Sequence, residues 1–417
     1  MNLVPTSFEA FRSRAEALDA ADPLRGRRAL FHVPAGLRYL DGNSLGMLPK
    51  AVAARVRAVI ETEWGEGLIR SWNTHGWIDL PARVAAKIER LVGAEPNSIT
   101  VADSTSVNVF KAVSAALRLR PGRRTILSDS GNFPTDLYVA HGLTELLGGG
   151  LALEVVEPDA VEAAIGDDLA ALLLTEVDYR TGRRHDMRRL TGRAHAAGGL
   201  AVWDLAHSAG AIPVALAAAD ADFAVGCGYK YLNGGPGAPA FVYVAPRLAA
   251  DIDPALCGWM GHAAPFAFDL GYTPAPGIGR MRVGTPSVIA MAALDAALDA
   301  FDGVDMAVVQ AKSATLCELF IAAVADGCPQ LELVTNRDHR RRGSQVSFRC
   351  AEGYAVMQAL IERGVIGDFR APDFIRFGFT PLYTSHADVA AAASVLAEIM
   401  RKRLWDQAKY RARSKVT

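Results

Sequence analysis

Ala201-Val202-Trp203-Asp204-Leu205-Ala206-His207 is an apolar run that ends on a carboxylate, and a later run closes on an amine at Gly228-Tyr229-Lys230-Tyr231-Leu232. Residues 200–204 have the length and composition of a buried strand. Working outward, residues 124–128, 169–175, 222–226 and 240–244 read the same way, with helical patterns between them at 134–147 and 187–197. Strand and helix in alternation predict an α/β fold with a mostly parallel sheet covered on both faces. Ligands of such sheets bind outside the carboxyl ends of the strands. Asp204 and Lys230 fall at or just past two such ends.

The chain has 417 residues, 51% of them hydrophobic, with a net charge of -1. That size favours two domains, and the composition is that of a globular protein with a large core. The Gly/Pro-rich stretch 271–286 interrupts the alternation and is the expected interdomain segment. Beyond it, helices are expected at 288–301, 305–325, 353–363 and 386–407, and strands at 331–335, 344–348 and 375–378, making a smaller α+β domain. Balanced charge gives no support to nucleic acid or an anionic membrane as partner. Five cysteines without C-x-x-C spacing read as reduced thiols. Charges at Glu9, Arg12, Arg14 and Glu16 interrupt any signal-peptide core, and no run of ~20 apolar residues is evident. A cytoplasmic protein is expected. Scattered histidines make a metal site unexpected, and neither a P-loop nor a dinucleotide-binding glycine motif occurs.

An isolated lysine is ordinarily a solvated charge. Lys230, between Tyr229 and Tyr231 and near Cys227, is too apolar and too tightly turned for that. Burial there would lower its pKa, as an amine that forms a Schiff base requires. Alone, Asp204 reads equally as an N-cap for residues 205–210. With Lys230 at this spacing, the pair fits pyridoxal phosphate, whose aldehyde takes a lysine and whose pyridine nitrogen needs a facing carboxylate. Ser104 and Thr105, ahead of an amphipathic helix, offer hydroxyls and backbone N–H groups to a phosphate, although ordinary capping explains them as well. Phe133 and Asp136 follow another strand. They read either as a ring-stacking and ring-contacting pair or as a turn with Pro134 opening a helix. Three of the six tryptophans lie between Trp64 and Trp77, read as core packing or as an aryl pocket with Trp72 or His75.

Six segments in this order resemble the kynureninase family: residues 39–46, 67–73, 132–136, 203–210, 229–237 and 376–383. The resemblance implies fold type I of the PLP-dependent enzymes, with a seven-stranded large domain (46–285), a small C-terminal domain (286–417) and an N-terminal arm (1–45). It implies hydrolytic cleavage of L-kynurenine, or of its 3-hydroxy analogue, for which a bulky Trp72 would leave little space, within tryptophan catabolism, and a homodimer with shared active sites. Lys230 would be the Schiff-base lysine, Asp204 the pyridinium partner and Tyr229 the acid. Ser104, Thr105, Tyr229, Trp259 and Thr285 would surround the phosphate, with Trp259 and Thr285 supplied by the neighbouring subunit. Phe133, Asp136, Thr175 and His207 would complete the cofactor shell. Arg376 would hold the substrate carboxylate, with Asn43, Trp72 and His75 as further substrate contacts. A cysteine desulfurase or aminotransferase of the same fold is the rival. Among the thiols, Cys257 is the one least easily set aside as a nucleophile.

Overall fold

All five central runs become strands in the computed structural model, which describes residues 7–413; the outermost residues of the arm and of the small domain lie outside that range. The large sheet has seven strands: β1 (Ile99–Val101), β2 (Thr125–Asp129), β3 (Ala152–Val156), β4 (Leu169–Thr175), β5 (Leu200–Asp204), β6 (Phe223–Gly226) and β7 (Phe241–Val244). Their order across the sheet is β1-β7-β6-β5-β4-β2-β3. All neighbours run parallel except at β7, which is antiparallel to both β1 and β6.

Every residue of β4, β5 and β6 is buried, as expected of parallel strands with helices on both faces. Sequence reading passed over β1, only three residues long, and β3, a mostly exposed strand at the sheet edge. The register aligns the strand ends: Thr175 pairs with Asp204, and Asp204 with Val225. After β6 the chain turns through residues 227–240 and comes back as β7. That turn needs glycine at 228 and 234. Gly234 N donates to Gly228 O (2.9 Å), and a Cβ on Gly228 would lie 2.5 Å from the Pro239 carbonyl.

The contacts divide the chain into two units. The larger holds Ala51–Tyr179 and His185–Asp299, and the smaller holds the described residues up to Lys50, Arg180–Arg184 and the described residues from Ala300 on. In the smaller unit four antiparallel strands (Glu332–Leu333, Gln345–Arg349, Asp368–Arg370 and Phe374–Gly378) back onto helices. Its core gathers around Phe320, with Phe348, Phe377 and Phe379 at 4.8–6.1 Å between ring centroids. The helix expected at 386–407 stops at Arg401. Its N-terminus is capped by Ser385 and, through two backbone N–H groups, by the Asp19 carboxylate of helix Ser7–Ala20.

One helix among the described residues, Met306–Gly327, has the length and apolarity to cross a bilayer, where no such run was expected. Leu316, Phe320 and Val324 on this helix lie in the core of the smaller unit, so packing accounts for its composition.

Candidate active site

Three strand ends and two connections of the larger unit bring most of the expected cofactor residues together. Asp204 closes β5, where its Oδ1 accepts the Ala206 N–H (2.7 Å). Asp136 enters from the first turn of helix Pro134–Leu147. Both side chains are almost fully buried and hydrogen-bonded to each other. Burial, then the neighbouring Asp204 charge, pushes the Asp136 carboxyl well above the carboxylate range. Asp204 is also raised by burial, against the pull of Lys230 and of the Ala206 N–H. Two carboxylates in one dry site cannot both ionise freely, so one proton sits between them, chiefly on Asp136.

Lys230 is half-buried, more open than its apolar neighbours suggested. Its Nζ lies 3.0 Å from His207 Nε2 and 5.8 Å from the ring centres of both Phe133 and Tyr229. Phe133 is 41% exposed and meets Tyr179 edge-on. The turn that presents it is fixed by Asn132, which bonds Ser128 Oγ, the Leu173 carbonyl and the Phe133 N–H. Burial pushes the Tyr229 phenol up, helped by Cys227 and Asp204, so it stays protonated at neutral pH. Thr175 is buried beside Asp204, its Oγ1 3.5 Å from the Asp204 carbonyl.

Ser104 does cap a helix, Thr105–Leu119, accepting weakly from Val107 N (3.4 Å). Ser104, Thr105, Tyr229, Arg282 and Thr285 all line one cavity of about 430 Å³. Trp259 is partly exposed and packs edge-on against Phe266 (5.7 Å).

These side chains fit pyridoxal phosphate. Lys230 offers an amine for the aldehyde, and Phe133 a ring face. Asp136 Oδ2 is buried with no hydrogen-bond partner, a state that costs about 1–3 kcal/mol and that a polar atom on the edge of the cofactor ring would relieve. The cavity supplies hydroxyls at a helix start for a phosphate.

Trp72 packs on Trp77 (6.3 Å), and His75 bonds Ser71 Oγ (2.9 Å). They follow a π-helical segment, Val59–Gly67, whose Glu63 accepts from Trp77 Nε1 (2.7 Å). Arg376 belongs to the smaller unit and is buried there. Asp368 takes its Nε (2.8 Å) and its Nη2, and Ser44 Oγ lies 3.0 Å from Nη2. With its amide turned to suit its neighbours, Asn43 accepts from Arg376 Nε (2.9 Å) and donates to Asp41 Oδ1 (3.2 Å). Burial and the Asp368 charge push Asp41 up to about 7, opposed by Arg376. Asp41 and Asp368 escaped sequence reading. Asp41 lies inside one of the six segments, but nothing local marks either as a partner of Arg376.

The thiols do not favour a desulfurase. Cys317, Cys328 and Cys350 are buried and pushed up to about 11, 12 and 11, opposite to what a nucleophile needs. Cys227 is buried and raised as well. Cys257 is exposed, with its Sγ on the Pro254 carbonyl.

The kynureninase C-terminal domain family matches residues 309–396. Kynureninase of Pseudomonas fluorescens is 50% identical over 97% of this chain and 99% of its own length. That of Deinococcus radiodurans is 54% identical over 93% and 96%. Among solved structures, C-DES with glycine covalently linked to its PLP cofactor superposes with a TM-score of 0.78 at 18% identity, over 89% of this chain and 99% of that one. The Escherichia coli cysteine desulfurase CsdA gives 0.76 at 21% identity, over 91% and 98%. These two share the fold type I architecture.

Proposed function

This chain belongs to the kynureninase family, and on that premise we propose that it hydrolyses the Cβ–Cγ bond of L-kynurenine to give anthranilate and L-alanine, with pyridoxal phosphate as cofactor. The observation that carries the reading is near-full-length identity to kynureninases together with an intact Lys230, Asp204 and Asp136 cluster.

When bound, pyridoxal phosphate supplies an electron sink for the substrate's α-carbon. Lys230 would hold it and, once its amine is released, would carry the proton taken from that carbon. Asp204 would keep a negative charge toward the ring nitrogen, with Asp136 as its proton-sharing neighbour. Phe133, His207 and Thr175 would pack around the ring. Ser104, Thr105 and Tyr229 would hold the phosphate, joined by Trp259 and Thr285 from the neighbouring subunit. Tyr229 is suited to give a proton to the β-carbon, because its raised pKa keeps the phenol protonated until it is needed. Arg376 would take the α-carboxylate on a guanidinium whose plane Asp368 already orients, with Asn43 beside it. The bulk of Trp72, with His75, would favour kynurenine over its 3-hydroxy analogue at the aryl ring.

We further infer a homodimer that works in the cytoplasm and in tryptophan catabolism. Supporting the dimer, Trp259, Phe266, Phe268 and Leu270 form an exposed apolar loop (37–107% exposed) suited to a second copy of the chain. Five free thiols agree with a reducing compartment. Incubating the cofactor-loaded protein with L-kynurenine and with 3-hydroxy-L-kynurenine tests the activity and the preference together. Anthranilate and alanine from the first, formed faster than the second reacts, is the expected result. Sulfide release from cysteine with no anthranilate would overturn the reading.

A further inference from the structure

Lys111, in the second turn of helix Thr105–Leu119, has a side chain with no solvent exposure. Its Nζ donates to Asp103 Oδ2 (2.8 Å) and to the Met281 carbonyl (2.7 Å). Both partners adjoin the cavity that holds Ser104, Thr105 and Thr285. Asp103 lines it, directly before Ser104, with φ at +56°. Met281 ends the short helix Gly277–Met281, and Arg282, Gly284 and Thr285 on the same cavity follow at once.

Burying an ammonium is costly, and a buried ion pair is weak evidence for stability, because an apolar side chain of similar volume would fill the space without that cost. Burial lowers the Lys111 pKa, and Asp103 opposes the shift. What the ammonium does that an apolar chain cannot do is bond both walls of the cavity at once. We propose that Lys111 is a positioning residue for the cofactor phosphate, tying the Asp103–Thr105 turn to the backbone just ahead of Arg282 so that the hydroxyls and N–H groups of the turn keep their aim. This rests on the reading of Ser104 and Thr105 as this chain's part of the phosphate cradle.

The test compares pyridoxal phosphate with pyridoxal, which lacks the phosphate, in equilibrium titrations of cofactor-free protein. Lys111→Met alone strands a buried carboxylate and is expected to lower the melting temperature, so the informative variant is Lys111→Met with Asp103→Gly. That double change removes both charges, and glycine suits the positive φ. Its cofactor-free melting temperature should stay near that of the parent. Its affinity for pyridoxal phosphate should fall roughly tenfold to a hundredfold, the range for outer partners that orient a bound group's ligands. Its affinity for pyridoxal should change by less than about threefold, and the ³¹P resonance of the bound phosphate should move. Equal loss for both ligands, or a parent-like preference for the phosphorylated one, overturns the proposal. Thr105→Val is the control for the cradle. If it loses the preference while the double variant keeps it, Lys111 has no positioning role and the cradle stands. If Thr105→Val keeps the preference, the cradle reading fails and the Lys111 proposal goes with it.

Discussion

Two buried clusters of charge in this chain are built on opposite terms. In the larger unit, Asp136 and Asp204 meet each other, and Oδ2 of Asp136 has no hydrogen-bond partner. In the smaller unit, Arg376 meets Asp368 through two of its nitrogens, with Ser44 and Asn43 around them. Folding alone does not favour like charges together in a dry site, so the first cluster reads as one completed by a ligand. The second already has its opposite charges in contact. A substrate carboxylate would there join an arginine whose orientation is set beforehand, which lowers the cost of binding. An acid shifted upward inside a cluster therefore has two meanings: a missing partner at Asp136, and a surplus carboxylate at Asp41.

The comparison breaks first at Lys230. Lys230→Ala should abolish the lysine-bound cofactor absorbance and lower turnover at least about a thousandfold, within the range for losing a positioned proton carrier. Survival of both would remove the larger unit's cluster from the chemistry.

The two aspartates should then prove unequal. Asp204→Asn should cost about a hundredfold in kcat, the scale of losing one preorganised charge partner. Asp136→Asn, which imitates the carboxyl already held protonated, should cost only a few-fold. Equal losses would show that the proton is not where the buried pair puts it.

A smaller effect is expected at Arg376. Arg376→Lys keeps the charge and loses the planar fork, and should raise KM about tenfold with less change in kcat. A drop in kcat alone would deny it the carboxylate.

The mildest test is the pH dependence of stability. Burial and the Asp368 charge hold the folded Asp41 carboxyl up at about 7, against about 3.9 in the unfolded chain. Between those values the folded state holds a proton that the unfolded state has released, so stability falls as pH rises through the window and is level above it. Asp41→Asn removes this dependence. Its stability relative to the parent, from urea unfolding of cofactor-free protein, should rise with pH across the window. A constant difference would contradict the surplus-carboxylate account.

Much of this was legible along the chain because the buried strands announce themselves. Leu169–Thr175 is wholly apolar up to its last residue, and Leu200–Asp204 stops on its only charge. Edge strands do not: Ala152–Val156 is mostly solvated and carries no such signal. The residue types of the cofactor site could be read from Lys230, Asp204 and Asp136, each at the end of a local pattern. Their pairing could not, since the Asp136–Asp204 hydrogen bond joins segments distant in sequence. The same holds for Asp368 with Arg376, and for Lys111, which reads only as part of an amphipathic helix until the fold brings Met281 to it.

The most direct test of the account is to load the protein with pyridoxal phosphate, reduce it with borohydride, and map the pyridoxyl-lysine by mass spectrometry of its peptides. The label should be on Lys230. A label on Lys111 or any other lysine, with Lys230 unmodified, would contradict the account at its foundation.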